Sequence, residues 1–223
     1  EVMWTGAGVA DMINQGDLDF FKTATNGMAP FIWLNYPVND YCIGHMLMGK
    51  FYGNDQGDNA FGGKMTAFTS NPMEYAEASK VALYGVADYA WNMKDYNPEA
   101  NWERAIKYLM PNNAEAYHVF CEHNVDLGWT VHGMRREGES PNFNADGTLA
   151  EKKAQFDLMV SSADALLADT YNPALITEIT PWLQKMKYMG QRGQNIVEMW
   201  GCLESGDTAK FLKDYREIQA LLA

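Results

Sequence analysis

Short apolar segments typical of β-strands occur only in the first third of this chain, which limits the sheet that it can form. The segments are residues 2–5, 31–34 and 64–69. A helix is expected at about 17–25, closed by Asn26-Gly27. Strands that alternate with helix-like segments indicate βα units on a parallel sheet. Since the alternation stops after Ser70, the sequence predicts only three such units.

From Ser70 onward the sequence is expected to be helical. The first helix is predicted to begin at Asn71-Pro72-Met73-Glu74, with Asn71 as its cap, and to run to about residue 92. Further helices are expected from Asn97-Pro98 and at about 114–126, 148–169, 173–204 and 207–222. Pro181 is expected to kink the helix at 173–204, and Gly190 and Gly193 are expected to loosen it.

Two further features belong to the helical part of the chain. A loop rich in Gly, Asn and charged residues is expected at about 127–147. The last helix has residues whose spacing gives it one apolar face. They are Phe211, Leu212, Tyr215, Ile218 and Leu222.

The predicted fold class is α/β followed by all-α. A closed eight-unit barrel takes roughly 250 residues, whereas only about 90 residues here are α/β. Three parallel strands cannot close a barrel, so they leave open edges. We therefore expect that another segment completes the sheet, or that the chain repacks or pairs with a copy of itself. A chain that starts within an expected strand also favours a piece of something longer.

Composition excludes several classes of partner. The chain has 223 residues, of which 47% are hydrophobic, so a sizeable core is available. A net charge of −12 argues against nucleic acid and against anionic membrane surfaces, which attract clustered Lys and Arg. No window offers the 18 apolar residues that a membrane span needs. Cys42, Cys121 and Cys202 are odd in number and far apart, which favours buried free thiols over disulfides.

Two weak metal signals do not lead to a metal site. Residues 142–147 resemble the start of a calcium loop, but the twelfth position is Lys153 and not Glu. His118, Cys121 and His123 lie close together on an expected helix, without an evident fourth ligand. We therefore expect neither a metal nor a cofactor.

Polar residues follow each of the three expected strands. Parallel folds keep their sites at the carboxyl ends of strands. The segment 31–41 ends an apolar run in Trp33, Asn35, Pro37 and Asp40. A Trp supplies a flat apolar wall, Asn and Asp read hydroxyls, and Pro stiffens a loop, which together favour a sugar-binding rim. Core packing of Trp33, a turn role for Asp40 and a capping role for Asn71 are the structural alternatives.

Several sequence blocks at matched spacing carry a family resemblance. In order along the chain they are Met3-Trp4-Thr5-Gly6, residues 31–41, Gly49-x-x-Tyr52-Gly53-Asn54-Asp55, residues 70–77, His123-Asn124-x-Asp126-Leu127-Gly128, His132-Gly133-x-Arg135-Arg136-Glu137 and Glu178-Ile179-Thr180-Pro181-Trp182. This pattern resembles bacterial members of glycoside hydrolase family 84, the β-N-acetylglucosaminidases related to O-GlcNAcase. It covers nearly the whole chain, but departs from the family at Gly128-Trp129-Thr130-Val131, where relatives tend to have a Gly-Pro-Asn-Gly-like turn.

The resemblance implies a fold and a reaction. The family combines a (β/α)8 barrel with a helical bundle, so residues 1–92 would be the last three βα units and residues 93–223 the bundle. The family hydrolyses terminal β-linked N-acetylglucosamine with retention, and the nucleophile is the acetamido oxygen of the substrate. Two adjacent Asp residues assist this reaction. No two Asp are adjacent in this chain, so it is expected to contain no catalytic residue and to be inactive alone.

The resemblance also assigns five substrate-binding positions. Trp33 would wall the pocket for the N-acetyl methyl group, and Asn35 would approach the reacting centre and help to hold the catalytic carboxylates. Asp40 and Asn71 would bind sugar hydroxyls, with Asp40 on those at positions 4 and 6. Val9 would line the acetamide side.

The implied partners are glycans or glycoproteins that contain N-acetylglucosamine, together with the missing N-terminal half of the barrel. Bacterial relatives imply a secreted or cell-surface location. The alternative function is a non-catalytic carbohydrate-binding or scaffold module in which the bundle is the functional surface.

Overall fold

The computed structural model describes residues 1–9, 13–40, 43–44, 46–51, 64–124 and 147–222. Within these ranges the chain forms one sheet of three strands and seven helices. The elements are β1 (Met3–Trp4), α1 (Gln15–Ala24), β2 (Phe31–Leu34), β3 (Ala67–Ser70), α2 (Ala76–Trp91), α3 (Pro98–Leu109), α4 (Ala114–His123), α5 (Leu149–Leu167), α6 (Pro173–Ser205) and α7 (Thr208–Leu222). No helix in the described ranges is long and apolar enough to cross a bilayer.

The three strands form one parallel sheet in the order β1-β2-β3. Phe31 pairs with Met3 on one side and with Ala67 on the other. A mixed α/β part followed by helices is therefore confirmed, although β3 covers Ala67–Ser70 and not the predicted 64–69. Among the described residues, β1 and β3 each have one unpaired edge. Met3 on the β1 edge is 57% exposed, an unusual state for an apolar strand residue.

Helix α1 begins at a complete capping box. The side chain of Asn14 accepts a hydrogen bond from the backbone of Asp17 at 3.0 Å, and Asp17 accepts one from the backbone of Asn14 at 3.0 Å. The helix therefore starts at Gln15, two residues before the predicted start. Its end agrees with the sequence prediction, because Asn26 and Gly27 both have positive φ and turn the chain away.

The predicted start of α2 at Asn71 is wrong. The helix begins at Ala76 after Tyr75, which makes no side-chain capping bond. The reason is that the backbone of Asn71 is already engaged: its N–H donates to the carbonyl of Leu34 at 2.8 Å, and its carbonyl accepts from Val38 at 2.9 Å. The Asn71 carbonyl is therefore used by the sheet-end loop and does not accept the first bond of a helix, as the carbonyl of an N-cap residue does.

Helix α3 starts and packs as its sequence predicts. The side chain of Asn97 accepts from the backbone of Ala100 at 3.0 Å, and Pro98 occupies the first turn. Trp102, Ile106 and other apolar residues of this helix are buried. Helix α3 belongs, with the sheet and α2, to a first compact unit that contains Glu1–Pro111. The division into 1–92 and 93–223 stays a prediction.

The second compact unit contains Asn112–His123 and the described residues from 147 onward. Its centre is the contact of α5 with the 33-residue helix α6, which is continuous through Pro181. The helix is also continuous through Gly190 and Gly193, which were expected to loosen it. They are buried and allow α5 to approach, since a Cβ on Gly190 would lie 2.7 Å from Val160.

Only part of the predicted apolar face of α7 is buried. Ile218 is buried and Phe211 is half-buried, whereas Leu212 and Tyr215 are both 48% exposed. A carboxylate takes part in the packing instead: Asp214 is buried and accepts from Lys210 at 2.9 Å. The side chain of Leu222 lies outside the described residues.

The cysteine and metal predictions fall partly on described residues. Cys121 and Cys202 are buried free thiols, as predicted. Cys42, the calcium-like residues 142–146 and the loop predicted at 127–147 (apart from its final residue) lie outside the described residues. Within the ranges that are described, no three His, Cys, Asp or Glu residues are placed to hold a metal ion.

Candidate functional site

The carboxyl ends of all three strands meet at one edge of the sheet. In the β2–β3 register Leu34 lies opposite Ser70, so Asn35 and Asn71 follow side by side. After β1 the chain turns at Gly6, whose φ of 101° is a left-handed value that favours glycine. The hydroxyl of Thr5 donates to the carbonyl of Gly8 at 2.9 Å and holds this turn in place.

Asn35 connects these three strand ends through its carboxamide. Its Oδ1 accepts from Nε1 of Trp33 at 2.7 Å and from Nδ2 of Asn71 at 3.0 Å. Its Nδ2 donates to the carbonyl of Val9 at 2.5 Å. The structure thus brings together four of the five residues that the sequence analysis selected. We call Val9, Trp33, Asn35 and Asn71 the asparagine cluster.

Trp33 presents its indole away from the core. Its neighbours in β2, Ile32 and Leu34, are buried, whereas Trp33 is 36% exposed. Alternate residues of a strand point to opposite faces, so the ring lies on the face opposite to those two side chains. This exposure argues against core packing as the role of Trp33. A partly exposed indole whose N–H is already bonded offers its flat apolar face to a ligand.

The loop after β2 is held by bonds that the sequence analysis did not predict. The hydroxyl of Ser70 donates to the carbonyl of Tyr36, and the hydroxyl of Tyr36 donates to the carbonyl of Gly49 at 3.1 Å. Tyr36 is buried, and the Tyr36–Pro37 peptide is cis. The sequence feature that could have indicated these bonds is Tyr36, an aromatic residue with a polar hydroxyl between Asn35 and Pro37. When such a residue is buried, its hydroxyl usually has a hydrogen-bond partner.

Asp40 is the fifth selected residue, and it is exposed. Among the described residues, Asp40 takes no part in the hydrogen bonds of the asparagine cluster. It lies two residues beyond Val38, whose N–H is bound by the carbonyl of Asn71 at 2.9 Å. The backbone link therefore brings the loop near the cluster, while sugar binding by Asp40 stays a prediction.

The polar groups of the asparagine cluster are neutral. Burial, and in addition the neighbouring Tyr96 phenol, raises the pKa of the Tyr36 hydroxyl beside the cluster, which therefore stays a protonated donor over the physiological range. Carboxamides and an indole can bind and orient a polar ligand, but they cannot exchange protons as an acid and base do. The cluster therefore suits binding and not bond cleavage. It is also a poor donor set for a tightly bound metal ion.

Two family models match the chain. Residues 1–122 match a model described as beta-N-acetylglucosaminidase. Residues 139–223 match a model described as the bacterial GH84 post-catalytic domain. The first match includes every residue of the asparagine cluster, and Asp40 as well.

Solved structures with the same fold agree with these matches. The protein described as CpGH84B is 26% identical with a TM-score of 0.84, and the similarity covers 100% of this chain but 40% of that chain. The protein described as CpGH84D is 25% identical with a TM-score of 0.80, and the similarity covers 99% of this chain and 38% of that chain. A mutant of the Thermobaculum terrenum O-GlcNAc hydrolase is 22% identical with a TM-score of 0.83, covering 100% of this chain and 49% of that one, and shows the shared fold. The chain thus spans less than half the length of these proteins.

Proposed function

Because the chain belongs to the β-N-acetylglucosaminidase family of glycoside hydrolases, we propose that it carries the sugar-binding half of a retaining enzyme and is inactive alone. The observation that carries this proposal is the asparagine cluster. It joins the carboxyl ends of three parallel strands, with a partly exposed indole beside them. Parallel folds place their sites at that edge.

The cluster retains hydrogen-bonding capacity for a substrate. A carboxamide offers two N–H donors and two acceptor lone pairs. Among the described residues, Asn71 uses one N–H on Asn35, which leaves its Oδ1 for a sugar hydroxyl. Within the same part of the chain, Asn35 uses one N–H on Val9, which leaves the other for a carboxylate at the reacting centre. These groups support the roles that the family resemblance implies for the two asparagines.

The remaining assignments follow the shape of the site. The exposed face of Trp33 would wall the pocket for the acetamido methyl group, with Val9 on the same side. Val9 is 79% exposed and tied to Asn35 through its carbonyl. Asp40 would accept two sugar hydroxyls through charge-assisted bonds, the stronger kind.

The chemical step needs groups from outside this chain. In the proposed reaction the acetamido oxygen of the substrate attacks the anomeric carbon, while one carboxylic acid protonates the leaving oxygen. A second carboxylate polarises the acetamide. No two Asp are adjacent in the sequence, so the catalytic pair would come from another segment of the complete enzyme.

We also propose that β1, β2 and β3 belong to the last three βα units of a (β/α)8 barrel. Their parallel order and the exposed apolar residues Val2 and Met3 at the β1 edge support this. A further strand on that edge would cover both residues and pair the free backbone groups. The N-terminal half of the barrel is thus the proposed partner. Glycans or glycoproteins with N-acetylglucosamine are the proposed substrates, and a secreted or cell-surface location stays a prediction.

A hydrolysis assay tests inactivity of the chain alone. Incubation of the purified chain with 4-nitrophenyl β-N-acetylglucosaminide is expected to release no 4-nitrophenol above the protein-free blank. The same assay with Asn35→Ala serves as the control. If the chain releases 4-nitrophenol and Asn35→Ala does not, the proposal is contradicted, because the chain would then contain its own catalytic acid. Release that is equal in both proteins would identify a contaminating glycosidase.

A further inference from the structure

A short segment beyond the loop that follows β2 is buried to an unusual degree for an irregular stretch. Residues 46–51, which we call the anchored segment, belong to no helix or strand. Met46 and Met48 are fully buried, and Phe51 is 2% exposed. Loops usually lie at the surface, because a buried loop has backbone polar groups that need partners.

Three aromatic side chains supply those partners. Nε1 of Trp102 donates to the carbonyl of Met48 at 2.9 Å. The hydroxyl of Tyr36 donates to the carbonyl of Gly49 at 3.1 Å, and that of Tyr96 to the carbonyl of Phe51 at 2.5 Å. The donors come from the loop after β2, from α3 and from the turn before α3. Three carbonyls within four residues are therefore fixed by groups far away in sequence.

Other contacts strengthen the same attachment. The N–H of Leu47 contacts the sulfur of Met73 at 3.3 Å. The ammonium of Lys50 lies 5.3 Å from the ring centroid of Trp102 and 2.9 Å from Glu99. Burial raises the pKa of Tyr96, as it does for Tyr36, so both hydroxyls stay protonated donors.

The anchored segment bounds the loop that contains Asp40. On one side Val38 is held by the carbonyl of Asn71 at 2.9 Å. On the other side the chain is fixed again from Met46. Asp40 thus lies between two fixed positions of the chain, two residues after Val38 and six residues before Met46. The carboxylate can then be presented without a large ordering cost on binding.

We propose that Tyr36, Tyr96 and Trp102 are positioning residues for sugar binding, because they fix the anchored segment and thereby the location of Asp40. This rests on the proposed function, in which Asp40 binds sugar hydroxyls. In this proposal the three residues act through Asp40 and not by contact with the sugar. Helix α3 thus takes part in the site through the anchored segment.

A double-mutant cycle tests the coupling. The probe is methyl β-N-acetylglucosaminide, and its Kd is measured by NMR titration of the full chain at a temperature where every variant is folded. Asp40→Ala is expected to raise Kd by about tenfold or more, and Trp102→Phe by about fivefold. In the double variant Trp102→Phe is expected to add almost nothing, since its effect passes through Asp40.

The matched control is Tyr89→Phe. Tyr89 packs on Phe51 in the same aromatic cluster, with ring centroids 5.4 Å apart, but its hydroxyl is not one of the three donors. This variant is expected to leave Kd within about twofold of the wild-type value. The proposal would be overturned if Tyr89→Phe and Trp102→Phe changed Kd equally. It would also be overturned if the change in Kd of the double variant equalled the product of the changes caused by Asp40→Ala and Trp102→Phe separately.

Amide hydrogen exchange separates this proposal from the proposed function. Trp102→Phe is expected to speed exchange at Val38 and in residues 46–51 by about tenfold, with α2 unchanged. A Kd that is the same for the wild-type chain and for Asp40→Ala would show that Asp40 does not bind the sugar, and the proposed function would then fail at that residue. The exchange rates would still decide whether the anchored segment is fixed. Unchanged exchange in Trp102→Phe would contradict the anchoring itself.

Discussion

Gly193→Ala is expected to lower the free energy of unfolding of the helical unit by about 3 kcal/mol, at the upper end for overpacked cores. A Cβ on Gly193 would lie 2.0 Å from Cε1 of Phe156 and 2.1 Å from Cδ1, far inside van der Waals contact. The ring of Phe156 is buried between α5 and α6, so it can move only if the two helices separate. The gain in helix propensity from Gly to Ala, about 1 kcal/mol, is too small to compensate.

Gly201→Ala is the matched control for this prediction. Gly201 lies in the same helix, and a Cβ there would meet no atom within 4 Å. The substitution is expected to stabilise the protein by about 0.5–1 kcal/mol through helix propensity alone. Urea unfolding followed by circular dichroism at 222 nm measures both variants. Equal stabilities of the two variants would contradict the close packing of α5 on Gly193.

Asn35→Ala is expected to have the largest effect on ligand binding. It removes all three bonds of the asparagine cluster: Trp33 and Asn71 lose their acceptor, and the Val9 carbonyl loses its donor. The indole and the second carboxamide then have no fixed orientation. We expect affinity for N-acetylglucosamine to fall about 100-fold, and stability by about 2 kcal/mol because three polar groups lose their partner. Calorimetry and urea unfolding measure the two effects.

Two further variants separate the contributions of this side chain. Asn35→Asp keeps an acceptor for Trp33 and Asn71 but cannot donate to Val9, so its affinity is expected to lie between wild type and Asn35→Ala. Asn92→Ala removes an exposed carboxamide of the same unit, which among the described residues donates to Asp95 alone, at 3.2 Å. It is expected to change stability by less than about 0.5 kcal/mol and affinity not at all. If Asn35→Ala binds N-acetylglucosamine with the same affinity as Asn92→Ala, the asparagine cluster is not the binding site.

The sequence predicted helix starts well where local bonds decide them. Asn97-Pro98 and Asn172-Pro173 both begin a helix, with the Asn side chain as its cap. Asn71-Pro72 has the same two residues and begins none. Its backbone is bound to Leu34 and Val38, which are more than thirty residues away in the chain. A local motif thus gives the wrong result where long-range sheet bonds compete for the same groups.

Residues at the strand ends were predictable, but their connections were not. The parallel sheet alone brings Trp33, Asn35 and Asn71 to one edge, so strand patterns indicated them as candidates, although their binding roles came from the family resemblance. The anchored segment depends on contacts between residues about 50 positions apart, such as Trp102 and Met48. Such contacts leave no periodic signal in a sequence. Likewise, the spacing of Leu212 and Tyr215 indicated an apolar face, but not that both would stay half exposed on α7.

Saturation-transfer difference NMR of the chain with N-acetylglucosamine tests the central claim most directly. If the asparagine cluster is the sugar-binding half of the site, the acetamido methyl protons receive the strongest saturation, and Trp33→Ala removes it. Glucose, which has no acetamide, gives no comparable signal. Equal saturation of glucose, or an acetamido signal that persists in a folded Trp33→Ala protein, would contradict the claim that this edge of the sheet binds the hexosamine.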